Sequence, residues 1–232
     1  MPQVETRRTP LADVALALAL QNAFASLFGH PPSQAMLGVS WAHVAHETGG
    51  GGAIWNNNFG NAKSWSDERP YFVLTATEVE NGATVKKPMK FAAYPTADDG
   101  ARAYWRLMAQ HYQPALAFFE KGDPVGAAQA LKEHGYYTDN PASYGAHMAT
   151  LYDRFQAQVL PKLEQSPFFL PPSEVATWPV TLSPQPASPP SPIGSGDASQ
   201  VDLIMPDPFG QRPSFLEQDE LEAAKPLDGG RK

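Results

Sequence analysis

The sequence predicts an α+β fold, mainly α: a helical domain with a small antiparallel β-hairpin lobe, followed by a proline-rich tail. Three observations predict it. Apolar residues recur at helical spacing through most of the first 163 positions. One stretch, residues 70–94, changes to a β-branched and aromatic pattern broken by Asn81-Gly82. After Pro161 the periodicity stops, and residues 164–232 hold more than half of the chain's 24 prolines. The domain is therefore drawn as residues 8–163 and the tail as residues 164–232. A chain of 232 residues with 42% hydrophobic and 11% aromatic content can fill one core of that size.

The first helix is expected over residues 10–28. Arg7-Arg8 followed by Leu11-Ala12-Asp13-Val14-Ala15-Leu16 superficially resembles a signal peptide, but Asp13 interrupts the apolar run and no small-x-small cleavage site follows. Leu16, Leu20, Phe24 and Leu27 instead mark one helical face. Gly29-His30-Pro31-Pro32 ends that helix, and Ser33 is the expected N-cap of the second. In the second helix Leu37, Trp41, Val44 and Ala45 form the expected core stripe. Met36, Ser40, His43 and Glu47 lie on another face, with His43 one turn from Glu47 and able to bond it.

Glu47 is the residue that most suggests chemistry. The four glycines Gly49 to Gly52 end its helix, since glycine takes a left-handed cap at little cost. A carboxyl group there sits at the negative end of the helix dipole, which favours the neutral acid over the anion. A neutral carboxylic acid is what general-acid catalysis needs. A solvated glutamate at a helix end is the plain alternative. Residues 49–65 then interleave Trp55, Phe59 and Trp65 with asparagines, whose amides both donate to and accept from sugar hydroxyls. The plain alternative is a polar loop with core aromatics.

The hairpin is expected to pair Tyr71–Glu80 with the strand that resumes at Thr84, through an Asn81-Gly82 turn. Glu78 and Glu80, two apart, project from one face of the first strand. Thr96 caps a helix over residues 97–112, Pro114 to Lys121 form a short helix, and Asp123-Pro124 opens another that reaches His134. Gly135 ends it. A turn dense in tyrosine follows, and a last helix is expected over residues 143–163. The run Ser183-Pro184-Gln185-Pro186-Ala187-Ser188-Pro189-Pro190 is expected to be extended and disordered, as a spacer or as a segment that binds a protein partner.

A helix ending in glutamate, an asparagine loop, a small sheet and more helices is the plan of lysozyme-like folds. In detail, His46-Glu47-Thr48-Gly49-Gly50-Gly51 resembles the Glu-Ser-Gly-Trp-Gly segment of the bacterial N-acetylglucosaminidase family, which includes autolysins and the flagellar-rod peptidoglycan hydrolase. Asn57-Asn58-Phe59-Gly60-Asn61-Ala62-Lys63 resembles its Asn-Asn-Leu-Phe-Gly-Ile-Lys. Thr77-Glu78 is similar to its Thr-x-Glu hairpin, Phe91-Ala92-Ala93-Tyr94 to its Phe-Arg-x-Tyr, and Gly135-Tyr136-Tyr137-Thr138-Asp139 to its Gly-Tyr-Ala-Thr-Asp-Pro turn. The five matches stand in the family's order over residues 11–160. Glycine replaces the family's tryptophan after Glu47, and Asn140 is inserted before Pro141, which displaces the next tyrosine to Tyr144.

The resemblance implies hydrolysis of β-1,4 bonds in the peptidoglycan glycan, after N-acetylglucosamine. Glycosidic cleavage takes an acid for the leaving oxygen and usually a second carboxylate for water or the oxocarbenium charge. Glu47 is the expected acid and Glu78 the expected second carboxylate, with Glu80 as its rival. Tyr136 is implied to face the acid across the cleft. Asn57, Asn58, Phe59 and Trp65 from the loop, with Thr138 and Tyr144 from the turn, are the candidates for holding the sugar. No cofactor or metal is expected. A lytic transglycosylase, a non-catalytic glycan-binding module, and a zinc hydrolase using His43, His46 and Glu47 are the alternatives. For the last, the spacing His-x-x-His-Glu matches neither common zinc motif.

The expected partner is the peptidoglycan glycan strand, met as a monomer. Net charge −7 argues against duplex nucleic acid. No apolar run approaches a membrane span, and with no cysteine the redox compartment stays open. Action on the cell wall, in the periplasm or outside the cell, without a clear signal peptide implies export by a dedicated route or a phage association.

Overall fold

The structure, a computed structural model, describes residues 3–64, 69–80, 83–137 and 139–171, without the side chains of 76–80, 83 and 84. The Asn81-Gly82 turn, Trp65, Thr138 and the proline-rich run lie outside the described residues.

Helix α1 (Asp13–Phe28) ends at Gly29, left-handed at φ 81°, whose N–H bonds Ala25 O. Helix α2 (Gln34–Glu47) starts at Ser33, whose hydroxyl accepts from Met36 N. Every residue from Met36 to His46 is buried. Both stripes read from the sequence are therefore covered up to Glu47, and α2 is the central helix around which the others pack. A helix buried on all sides needs small residues where neighbours come close. At Gly38 an added Cβ would stand 2.7 Å from the Tyr152 ring. The buried indoles have partners as well: Trp41 Nε1 donates to Asp13 O and Trp105 Nε1 to Leu20 O.

The sheet has two strands, β1 (Tyr71–Glu80) and β2 (Ala83–Ala92), antiparallel from Tyr71↔Ala92 to Glu80↔Ala83. A lone hairpin is marginal in water. This one is held at its base from both sides. Residues 3–9, unassigned by the periodicity, run along it and the asparagine loop, with Val4 N bonding Tyr71 O and Thr6 Oγ1 bonding Val73 O. On the other side Ser64 N bonds Lys90 O and Ala92 N bonds Ala62 O. Phe72 and Phe91 stack at 5.7 Å in a satellite core with Val4, Trp55, Leu74 and Met89.

Helices α3 (Ala97–His111), α4 (Gln113–Lys121) and α5 (Pro124–Glu133) follow, and the expected caps stand at α3 and α5: Thr96 accepts from Asp99 N and Asp123 from Gly126 N. The expected last helix is not uniform. It runs as α6 (Pro141–Arg154), a π-helical turn Phe155–Val159 and α7 (Leu160–Glu164). Pro161 lacks an N–H, and its ring would press on the carbonyl four residues back in a regular helix; the wider π turn lies where that carbonyl is. Beyond α7 the chain stays on the domain. The buried Gln21 of α1 donates to Leu170 O at 2.7 Å and accepts from Leu170 N at 3.0 Å. Among the described residues no helix is long and apolar enough to cross a membrane.

Candidate active site

Glu47 closes α2, and the backbone behind it is tightly turned. Gly50 N reaches back to Ala45 O, the six-to-one bond of a Schellman cap. Thr48 Oγ1 donates to Val44 O and accepts from Gly51 N. Gly51 is left-handed at φ 84°, and a Cβ there would stand 2.6 Å from Leu11 O, while its own carbonyl accepts from Leu11 N. Position 51 thus requires glycine twice over, by dihedral and by space.

The asparagine loop is built on left-handed turns at Asn56, Asn57 and Asn61, a conformation asparagine tolerates better than most residues. Asn57 gives its amide to Tyr94 O, and Asn58 gives its amide to Ala62 O and Ala92 O. Asn58 Oδ1 accepts from Ala62 N. These bonds fix the path of the loop so that Asn61 arrives beside Glu47. Asn61 Nδ2 donates to Glu47 O at 2.9 Å and to Glu47 Oε2 at 3.3 Å.

The other oxygen is met from α6. Asn140, the inserted residue, is the N-cap of that helix and accepts from Ala142 N. One turn later Tyr144 donates its hydroxyl to Glu47 Oε1 at 2.6 Å. Burial, and then the negative Glu47, push the Tyr144 phenol well up, so it stays a donor. Tyr144 stacks face to face on Tyr137 at 3.8 Å, and its other neighbour is the His46 ring at 4.0 Å. His46 Nδ1 meets His147 Nδ1 at 2.7 Å. Glu47 is thus a partly buried carboxyl group with a neutral donor on each oxygen, at the end of the central helix.

The sequence-predicted residues divide clearly. Glu47 and Tyr144 meet. Tyr136, fully buried, donates its hydroxyl to Gly60 O and packs edge-on to His43, so it supports the loop from beneath rather than facing a cleft. Asn57, Asn58 and Phe59 are likewise buried, Phe59 in the main core, and build the loop instead of presenting a surface to a sugar. Trp65 and Thr138 lie outside the described residues. Glu78 and Glu80 pair with Val85 and Ala83 near the tip of the hairpin; their side chains lie outside the described ones. His43 turns its Nδ1 to Tyr104 OH at 2.9 Å. With His46 facing His147, the two histidines do not share one opening, and among the described residues no three His, Cys, Asp or Glu stand as a metal cluster. Sequence reasoning missed Asn61 as a neighbour of Glu47 and His147 as a neighbour of His46. Asn61 belongs to the matched Asn-Asn-Phe-Gly-Asn run, which is the signal that points to it.

A family model described as mannosyl-glycoprotein endo-β-N-acetylglucosaminidase, the glucosaminidase family, matches residues 33–157, more than half of the chain. No curated protein matches. Among solved structures, a mutant peptidoglycan hydrolase from Sphingomonas sp. A1 is 23% identical over 66% of this chain and 98% of its own, at a TM-score of 0.48. A C-terminally truncated glycoside hydrolase domain of Salmonella typhimurium FlgJ is 23% identical over 62% and 94%, at 0.43. The catalytic domain of the autolysin Auto from Listeria monocytogenes is 16% identical over 65% and 88%, at 0.46.

Proposed function

We propose that this chain, which belongs to the glucosaminidase family of endo-β-N-acetylglucosaminidases, hydrolyses β-1,4 bonds in the glycan of peptidoglycan with Glu47 as the general acid. The observation that carries the reading is the Glu47 carboxyl group, held at the end of α2 by Tyr144 on one oxygen and Asn61 on the other. Aim matters as much as acidity, because proton transfer to the leaving oxygen works only within hydrogen-bond reach. Tyr144 and Asn61 supply the aim. Tyr136, through Gly60 O, holds the loop that carries Asn61.

The second carboxylate is Glu78, which follows Thr77 in the segment that resembles the family's Thr-x-Glu hairpin, ahead of Glu80. It activates water or faces the oxocarbenium charge. Sugar contacts come from the loop and the turn, with Trp65 and Thr138 as the candidate residues. The site of action is the cell wall, outside the cytoplasm. The chain acts as a monomer, and the proline-rich tail carries any protein partner.

The test is Glu47→Gln assayed on purified peptidoglycan. General-acid catalysis contributes roughly 10²-fold to 10⁴-fold, so activity should fall by that much at unchanged melting temperature. A loss of only a few-fold would overturn the assignment. Glu78→Gln should cost more than Glu80→Gln; equal activity of all three proteins would leave neither strand glutamate with a role. Mass spectrometry of the fragments reads the reaction itself, with reducing ends for hydrolysis and anhydro ends for a transglycosylase.

A further inference from the structure

We propose that His147 is a positioning residue for the acid: it fixes the His46 ring, which with the Tyr137 ring clamps the Tyr144 phenol onto Glu47 Oε1. The proposal rests on Glu47 being the acid. The chain of contacts is continuous. His147 Nδ1 lies 2.7 Å from His46 Nδ1, the His46 ring lies 4.0 Å from the Tyr144 ring, and Tyr144 OH lies 2.6 Å from Glu47. Tyr137 stacks on Tyr144 at an interplanar angle of 7° and is itself pinned by its hydroxyl to Ala128 O, while the His46 ring meets Tyr144 tilted at 60°. Two ring contacts limit how far the phenol can turn away from Glu47.

The nitrogen-to-nitrogen contact also fixes how many protons the pair holds there. At 2.7 Å one Nδ1 must carry a hydrogen and the other must accept it. A second proton would place two N–H groups head to head, so the pair holds only while one Nδ1 is bare. His46 is buried and has little room to turn, whereas His147 is partly exposed and can swing into solvent. The groups around His46 are Glu47 from its own helix, Tyr144 and His147 from α6, and Asp139 from the turn before it. Burial and the His147 charge hold the His46 ring below its ordinary value, against the opposing pull of Glu47 and Asp139. The doubly protonated pair is therefore the form in which the contact parts, and acidification should loosen the acid's aim.

The test compares His147→Phe, which keeps bulk without a nitrogen, with His147→Asn, whose amide nitrogen stands near the place of Nδ1. For His147→Phe we expect kcat on purified peptidoglycan to fall roughly tenfold at unchanged KM, the scale of a misplaced catalytic group. The acid limb of its kcat–pH profile should change slope, and His147→Asn should recover activity to within about twofold, since the bond and not the ring is what counts. Ring-nitrogen NMR of the unmodified protein should show one Nδ1 carrying hydrogen and the other bare, as the N–H···N contact requires, and the same pattern should survive in Glu47→Gln. Two rings with no such bond, or a His147→Phe protein with native kcat and a native acid limb, would overturn the proposal. If Glu47→Gln itself stayed active, the acid reading would fall and the positioning role with it, while the bond between the two histidines would stand; the two failures are thus distinguishable.

Discussion

Replacing Asn61 with glycine removes two bonds to the acid while leaving the backbone free to keep its left-handed turn at φ 47°. The bond to Glu47 O at 2.9 Å is an ordinary neutral one, worth about 1 kcal/mol. The bond to Glu47 Oε2 is longer, at 3.3 Å, and the carboxyl group is only partly buried, so water replaces part of it; about 1 kcal/mol is again a fair figure. Glycine also frees the unfolded chain, at a further ~0.5 kcal/mol. The sum is about 2–3 kcal/mol, which for a domain of this size lowers the melting temperature by roughly 5–10 °C. Activity on purified peptidoglycan should fall about tenfold to a hundredfold, because the acid loses one of its two orienting donors. Asn61→Ala should melt lower still, since alanine takes a positive φ only with strain that exceeds its entropic gain. A glycine variant that melts within about 2 °C of the native protein and retains at least half its activity would refute this account of how Glu47 is held.

Gly51→Ala should destabilise by about 2–3 kcal/mol in denaturant titration, from left-handed strain and from the clash with Leu11 O; a near-neutral result would mean the Leu11–Gly51 contact gives way freely. Deleting residues 172–232 should leave the melting temperature and hydrolysis by purified enzyme nearly unchanged, whereas deleting 165–232 should lower melting by several degrees, because the buried Gln21 then loses both bonds to Leu170. Equal melting of the two truncations would show that Leu170 contributes nothing. The protein should also lose stability as pH falls below about 6.5, the ordinary histidine value. There the unfolded chain takes up a proton that buried His46 resists, so unfolding is favoured by acid and this contribution is whole only above that range. His46→Phe should flatten that part of the stability–pH curve, and an unchanged slope would contradict it.

What the sequence made legible was local. Ser33, Thr96 and Asp123 act within three residues of themselves, and Gly29 stops α1 by its own dihedral, so each could be read without the fold. The two strands of the hairpin were legible from their β-branched and aromatic pattern. Glu47 stood out because it ends a helix before glycines. Its partners were not legible: Tyr144 is 97 residues away and His147 lies 101 residues from His46, with nothing in either stretch to name the other. Tyr136, Asn58 and Phe59 show the converse difficulty. Polar and aromatic residues of a sugar-binding kind also serve to hold a loop, and only burial separates the two uses. The amphipathic reading of α2 fell short because its second face, Met36, Ser40 and His43, is covered by other helices, which a single helix's periodicity does not encode.

The pairing of Gln21 with Leu170 has a consequence for how the domain comes into being. The two residues are 149 positions apart, and the strap at residues 3–9 likewise waits for partners some fifty or more residues downstream. In a chain synthesised from its N-terminus, α1 emerges first yet is completed last, with a buried amide unsatisfied until the final segment arrives. Such long sequence separation slows folding and leaves early surfaces exposed while the chain grows. Closure of the domain on α1 therefore waits until Leu170 itself is free of the ribosome.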